Sequence, residues 1–224
     1  MSQSTHIACH RVRHGLCVVL LYAAGTVAVN AAPQAKVLLP ALTQPSSGEH
    51  HVGKVLWADL VTPDLDGAKR FYGALFGWTF RPIPGDRDYT LALLGGEPVA
   101  GLLQKTPPPG RPRPAWLTFL AVRNVAAIEQ AALRHGGKLI SGSRNYPQRG
   151  RQAILADPDG AVFAVLAAQG GDPPDYLAAP GAWIWTALFV ANPKQESAFY
   201  STLFGYHVDD LADGGSSEDE ASHY

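Results

Sequence analysis

Asp59 is the only carboxylate in an otherwise apolar run, Lys54–Thr62 (KVLWADLVT), and it stands two residues from Trp57. In an extended chain that spacing puts both side chains on one face. A carboxylate beside an indole suits two roles. It can act as a base or hydrogen-bond acceptor toward a substrate in a cavity, or as a structural acceptor tied to backbone groups or an arginine. Trp116 and Thr118 repeat the spacing in PAWLTFLAV (114–122). Strand parity therefore predicts that Trp57, Asp59, Trp116 and Thr118 line one pocket, with paired indoles suited to a flat or apolar ligand. The alternative for each indole is core packing.

Other reactive side chains are scattered. Arg149 and Arg151 flank Gly150 and either meet an anionic group or face solvent. The eight histidines stand at 6, 10, 14, 50, 51, 135, 207 and 223, and none falls on a predicted cavity strand. The doublet His50-His51 reads as a solvated pair. Cys9 and Cys17 are the only cysteines, so residues 32–224 carry neither thiol nor disulfide. A formal net charge of −1 gives no reason to expect nucleic acid or an anionic membrane surface as partner.

These residues need strands to hold them, and 23 Gly and 18 Pro among 224 residues suit a turn-rich chain of many strands. Residues 54–62 read as a strand. Asp64 and Asp66 can cap a helix striped by Ala68, Phe71, Tyr72, Leu75 and Phe76 and closed by Gly77. Strands Trp78–Ile83, Tyr89–Leu94 and Pro98–Gln104 complete a βαβββ unit over 54–104. After the proline-rich connector 105–114, a second unit (115–168) has a strand Trp116–Val122 and a helix with Val125, Ile128, Ala132 and Leu133. Strands Lys138–Ser141, Arg151–Ala156 and Val162–Ala167 follow, the last two joined by the turn Asp157-Pro158-Asp159-Gly160. Past a Gly/Pro joint (171–182), a shift of 128 residues lays Trp57, Leu60, Phe71, Tyr72, Leu75, Phe76 and Gly77 on Trp185, Leu188, Phe199, Tyr200, Leu203, Phe204 and Gly205. A partial third unit (183–208) is thus predicted, with a strand Trp183–Phe189 and a helix. Its stripe Phe199, Tyr200, Leu203, Phe204 and Tyr206 is expected to face solvent, which favours a homodimer. An acidic tail (209–224) with six Asp or Glu and no Lys or Arg ends the chain.

The N-terminus carries Arg11 and Arg13, then the uncharged apolar run Leu16–Val29, then Asn30-Ala31-Ala32-Pro33. This is the pattern of a signal peptide, here residues 1–31 with cleavage after Ala31, followed by a linker over 32–53. The run is short of the roughly 20 residues a membrane span needs, so the mature chain is expected to be exported, periplasmic or secreted, without a stable span. The alternative is an uncleaved membrane anchor.

The stretch WADLVTPDLDGAKRFYGALFGW (57–78), the connector followed by PAWLTFLAV, and ADPDGAVFAVL (156–166) are similar to the glyoxalase/bleomycin-resistance/extradiol-dioxygenase superfamily, the vicinal oxygen chelate group. The closest likeness is to its branch with tandem glyoxalase-like halves. The resemblance covers about residues 53–208. It implies an α+β fold of paired βαβββ modules forming a curved, partly closed mixed sheet around a cavity. In enzymes of that family, His, Gln or Glu from the first and last strands hold a divalent metal, which acts as a Lewis acid. The matching positions here fall near Leu56 or Trp57, near Trp116 or Leu117, and on Ala164. None supplies such a ligand. The expected function is therefore an exported small-molecule binder without a catalytic metal, as in the family's resistance proteins, with no cofactor. The alternatives are a metal-dependent lyase or dioxygenase and a truncated, inactive member, since tandem members carry four units.

Overall fold

The computed structural model describes residues 38–106, 114–175 and 178–209, all within the unit Ala35–Tyr224. The segment expected to be a signal peptide, part of the connector and nearly all of the acidic tail lie outside these residues. The elements are β1 (Val55–Thr62), α1 (Leu65–Phe76), β2 (Thr79–Ile83), β3 (Asp86–Leu94), β4 (Glu97–Gln104), β5 (Ala115–Ala121), α2 (Val125–Arg134), β6 (Lys138–Tyr146), β7 (Gly150–Ala156), β8 (Val162–Ala168) and α3 (Pro193–Phe204). This is an α+β fold of two βαβββ modules.

The eight strands form one mixed sheet, in the order β2-β3-β4-β1-β5-β8-β7-β6. Within each module the first strand runs parallel to the last, β1 with β4 and β5 with β8. The modules join where β1 and β5 pair antiparallel at the centre, with Trp57 opposite Phe119 and Asp59 opposite Leu117. Helices α1 and α2 cover one face of the sheet. There Leu60, Ala92, Ala100 and Leu102 pack with Ala68 and Tyr72, and Leu120, Leu155 and Val165 pack with Val125 and Ala132. The opposite face carries Trp57, Leu91, Leu117, Phe119, Ala164 and Leu166. Among the described residues no helix covers that face. The segment before β1 does, with Leu39 in the same cluster and Leu42 against it. With both faces occupied, β1 reads as a nearly unbroken apolar run.

Helix α1 begins as its sequence directs. Asp64 accepts from the Gly67 amide at 2.8 Å, and Gly77 closes the helix with φ near 70°, a left-handed conformation that glycine adopts without Cβ strain. Helix α3 has the same length and ends, with Asn192 as its N-cap and Gly205 at φ 75°.

The structure departs from the sequence expectation in four places. Trp183–Phe189 forms no strand. The segment pairs with neither edge strand of the sheet, β2 or β6. Most of the α3 stripe is not open to solvent: Phe199, Leu203 and Phe204 are buried against Phe163, Leu155 and the α2 residues Val125 and Ala132 and Tyr200 is half-buried, while Tyr206 stays exposed. Strand β6 runs on to Tyr146 through irregular register between Ser141 and Arg144, where the polar SGSRN offers no alternation to follow. Residues 38–53, expected as a linker, are tied down. Ser46 and Ser47 bond the Gly170 carbonyl, and His51 bonds the buried Asp172 through its backbone amide and its ring, the ring at 3.1 Å.

Candidate functional site

The helix-free face gathers four polar side chains over the first module. Trp57 and Asp59 come from neighbouring outward positions of β1 and share this face, as parity requires. The Trp57 Nε1–H donates to Asp59 Oδ1 at 2.7 Å. Tyr89, on β3, reaches across β4 to donate its hydroxyl to the same oxygen at 2.7 Å, and lies 3.2 Å from Trp57 Nε1. Between them β4 presents Gly101, paired to Asp59 on one side and Leu91 on the other. A Cβ at 101 would collide with both Tyr89 Oη and Asp59 Oδ1, so the bridge across β4 exists because that position is glycine. Arg149 completes the group. It is only 2% exposed, its guanidinium carbon lies 4.8 Å from the Trp57 ring centroid, and its Nε donates to the Pro40 carbonyl at 2.8 Å.

Burial dominates the electrostatics. It pushes the Asp59 carboxyl above its ordinary range, against the opposing pull of the Tyr89 and Trp57 bonds and the charge of Arg149. It pushes the Tyr89 hydroxyl well up, and the Asp59 charge adds to that. Burial also lowers Arg149, while Tyr89 and Asp59 pull the other way. Both donors to Asp59 fall on Oδ1, so Oδ2 carries no bond from either.

Trp57 also lines an open cleft of about 780 Å³, together with Leu42, Lys54, Val99, Trp183 and Trp185. At its rim Lys54 Nζ bonds Asp175 at 2.6 Å and the Pro173 carbonyl at 2.8 Å. Trp183 is fixed by its Nε1 bond to the Val99 carbonyl and by edge-to-face contact with Trp116, 4.9 Å between centroids.

The pocket of Trp57, Asp59, Trp116 and Thr118 does not form. In the β1–β5 ladder Leu60 stands opposite Trp116 and Ala58 opposite Thr118, so those two residues lie on the helix-covered face. There Trp116 donates to Tyr72 Oη at 3.2 Å and packs edge-on to Tyr72 and Trp78. The residues that β5 gives to the face of Asp59 are Leu117 and Phe119. Sequence reasoning missed Tyr89, whose signal was its parity with Leu91 and Leu93, and Gly101. It left Arg149 between an anionic partner and solvent, and Arg149 is buried; Arg151 stays exposed, bonding Ser143 at 3.2 Å.

The family's metal positions on this face are Trp57, Leu117 and Ala164. Indole, isobutyl and methyl side chains do not fit a divalent cation. Among the described residues no group of three or more His, Cys, Asp or Glu is placed to hold a metal ion.

Comparison with known proteins agrees with this architecture. The family model described as Glyoxalase/Bleomycin resistance protein/Dioxygenase superfamily matches residues 50–165. A putative glyoxylase, CFP32, of Mycobacterium tuberculosis is 33% identical over 167 residues, covering 72% of this chain and 63% of its own length. The anthracycline biosynthesis protein DnrV of Streptomyces peucetius is 30% identical, covering 68% of this chain and 61% of its own. The chain thus spans less than two thirds of the curated relatives it matches. The crystal structure of the Mn(II)-bound glyoxalase from Novosphingobium aromaticivorans superposes with a TM-score of 0.54 at 20% identity, covering 72% of this chain and 55% of that one, a likeness of fold. With the family model spanning more than half of its residues, the chain belongs to the glyoxalase/bleomycin resistance protein/dioxygenase superfamily.

Proposed function

We propose that this protein binds a small organic molecule in the cleft over Trp57, with Asp59 holding the indole that walls it and without a metal of the family's type. One observation carries the reading: the indole that lines the 780 Å³ cleft is the one hydrogen-bonded to the buried carboxylate. A cleft with aromatic walls and a few fixed polar groups suits a ligand that is largely apolar and bears a hydrogen-bond donor. The test is a thermal-shift screen of aromatic and heteroaromatic compounds, repeated on Trp57→Leu. A ligand at about 100 times its Kd stabilises the native state by about 2.7 kcal/mol, which raises Tm by several degrees. The expected result is such a shift in the wild type, lost in Trp57→Leu. A shift that survives in the variant would place the ligand elsewhere.

A second reading, a metal-dependent lyase or dioxygenase, is favoured by the solved neighbour described as a Mn(II)-bound glyoxalase. Metal analysis of the purified protein separates the two. About one tightly held divalent ion per chain, removed by chelation together with activity, establishes the second reading and overturns the first.

The proposal places this binding outside the cytoplasm, on the strength of Arg11, Arg13, the run Leu16–Val29 and Ala31. N-terminal sequencing of protein from the cell envelope is expected to start at Ala32 or within a few residues of it. An intact Met1 in the soluble cytoplasmic fraction would count against export. Among the described residues no helix is long and apolar enough to cross a membrane.

A further inference from the structure

The seat of α3 on the second module is built around carboxylates. The first turn of α3 lies by the β7–β8 turn, where the Asn192 amide donates to Asp159 at 3.3 Å. Further along, Tyr200 Oη donates to Asp157 Oδ2 at 3.1 Å, and Tyr206 Oη donates to the Gly53 carbonyl at 2.6 Å. Asp157 is fully buried, and its other oxygen accepts the Ala161 amide at 2.7 Å. Glu196 is 2% exposed, and neither of its carboxylate oxygens has a hydrogen-bond partner. The charges acting on it are those of Asp157 and Asp159, both negative; the Asp157 side chain also favours the neutral acid as a hydrogen-bonding neighbour, while the Asp159 backbone pulls the other way. The titratable side chains of α2, the other element packed on α3, are Glu129, Arg134 at its end and the exposed His135 at its cap, none of which acts on the Glu196 carboxyl.

A carboxyl held in a covered site beside other carboxylates, with no counter-charge on it, favours its neutral form. We propose that Glu196 is a proton-operated latch: as a neutral acid it lets α3 seat on the β7–β8 turn, and as a carboxylate it loosens α3. Burial, and then the charge of Asp157, push the Glu196 carboxyl up to about 7 from an ordinary value of 4.5. The sign follows. The seated state binds the proton more tightly than the free one, so seating is strongest below about pH 4.5. It weakens as pH rises between the two values, and the loss is complete above about 7. A shift of that size limits the effect to about 300-fold in the seating equilibrium.

The latch also bears on the cleft. The segment carrying the wall residues Trp183 and Trp185 runs directly into α3, so releasing α3 frees one end of that wall. This consequence rests on the binding reading above; the latch itself does not.

Hydrogen exchange on the full, ligand-free chain at pH 5 and pH 8, corrected for intrinsic rates, reads both parts. Protection of residues 193–206 is expected to fall about tenfold or more at pH 8 in the wild type. Glu196→Gln, which mimics the neutral acid, should hold its protection at both pH values. Asp159→Asn, at an exposed position, should move the midpoint to lower pH. An unchanged pH response in Glu196→Gln, or no response in the wild type, overturns the latch. A response of 193–206 without one of 181–189 overturns only the link to the cleft, and neither outcome depends on whether a ligand binds there.

Discussion

Asp59→Ala is expected to lower the free energy of unfolding by about 3–5 kcal/mol, the order expected when a buried charge is removed and an opposite buried charge is left uncompensated. The substitution strips the acceptor from the Trp57 Nε1–H and the Tyr89 hydroxyl and removes the counter-charge that faces buried Arg149. Relief of the Asp59 carboxylate's own burial works in the other direction. The Tyr89 hydroxyl left without its acceptor and Arg149 left without its counter-charge outweigh it, because each buried donor left unsatisfied costs about 1–3 kcal/mol, whereas Trp57 Nε1 keeps the Tyr89 oxygen at 3.2 Å. Asp59→Asn keeps a carbonyl oxygen for Trp57 and Tyr89 and is expected to cost less, while still weakening any ligand held through the carboxylate. Urea unfolding of both variants, beside the thermal-shift screen, separates the contributions. A cost under about 1 kcal/mol for the alanine variant would mean that the cluster is held by packing alone.

Phe199→Ala is expected to cost about 3–5 kcal/mol, as loss of a buried phenyl ring does, whereas Phe71→Ala should cost under about 1 kcal/mol. The two residues stand 128 positions apart in the same motif, FYGALFG and FYSTLFG. Phe199 is 3% exposed and packs on Phe163 and Tyr200, while Phe71 is 59% exposed and touches Tyr72 edge-on at 5.0 Å. The difference lies in the surroundings. Helix α3 rests against α2 and the helix-covered face of β8, and the matching flank of α1 carries no helix in the described residues. Chemical unfolding of both variants reads the prediction directly. Equal costs would show that α3 does not keep its seat in solution.

The elements themselves were legible in the residues. The β1 alternation, the Asp64 and Gly77 ends of α1, the Asp157-Pro158-Asp159-Gly160 turn and the order of two βαβββ modules are local chemistry: pleat, cap, αL glycine and turn. The pairing of Trp57 with Asp59 on one face belongs to the same class, since it needs only one strand's parity. What no single strand determines is how two strands align. Trp116 has the same spacing to Thr118 as Trp57 has to Asp59, yet the antiparallel register turns it to the helix-covered face. A shift of one residue would reverse that, because the side-chain period of a strand is two. Tyr89 and Asp59 are thirty residues apart and meet only because Gly101 leaves the space between them. Arg149 looks like a surface residue in the sequence and becomes buried when residues 38–42 cross the sheet above it. Trp183–Phe189 has the composition of a strand and no partner to complete one. In each case the sequence by itself determined which local shape each segment prefers, and the tertiary structure decided which face, neighbour or solvent that shape meets. The physical reason is that burial and pairing belong to two surfaces in contact, and each segment of sequence describes only one of them.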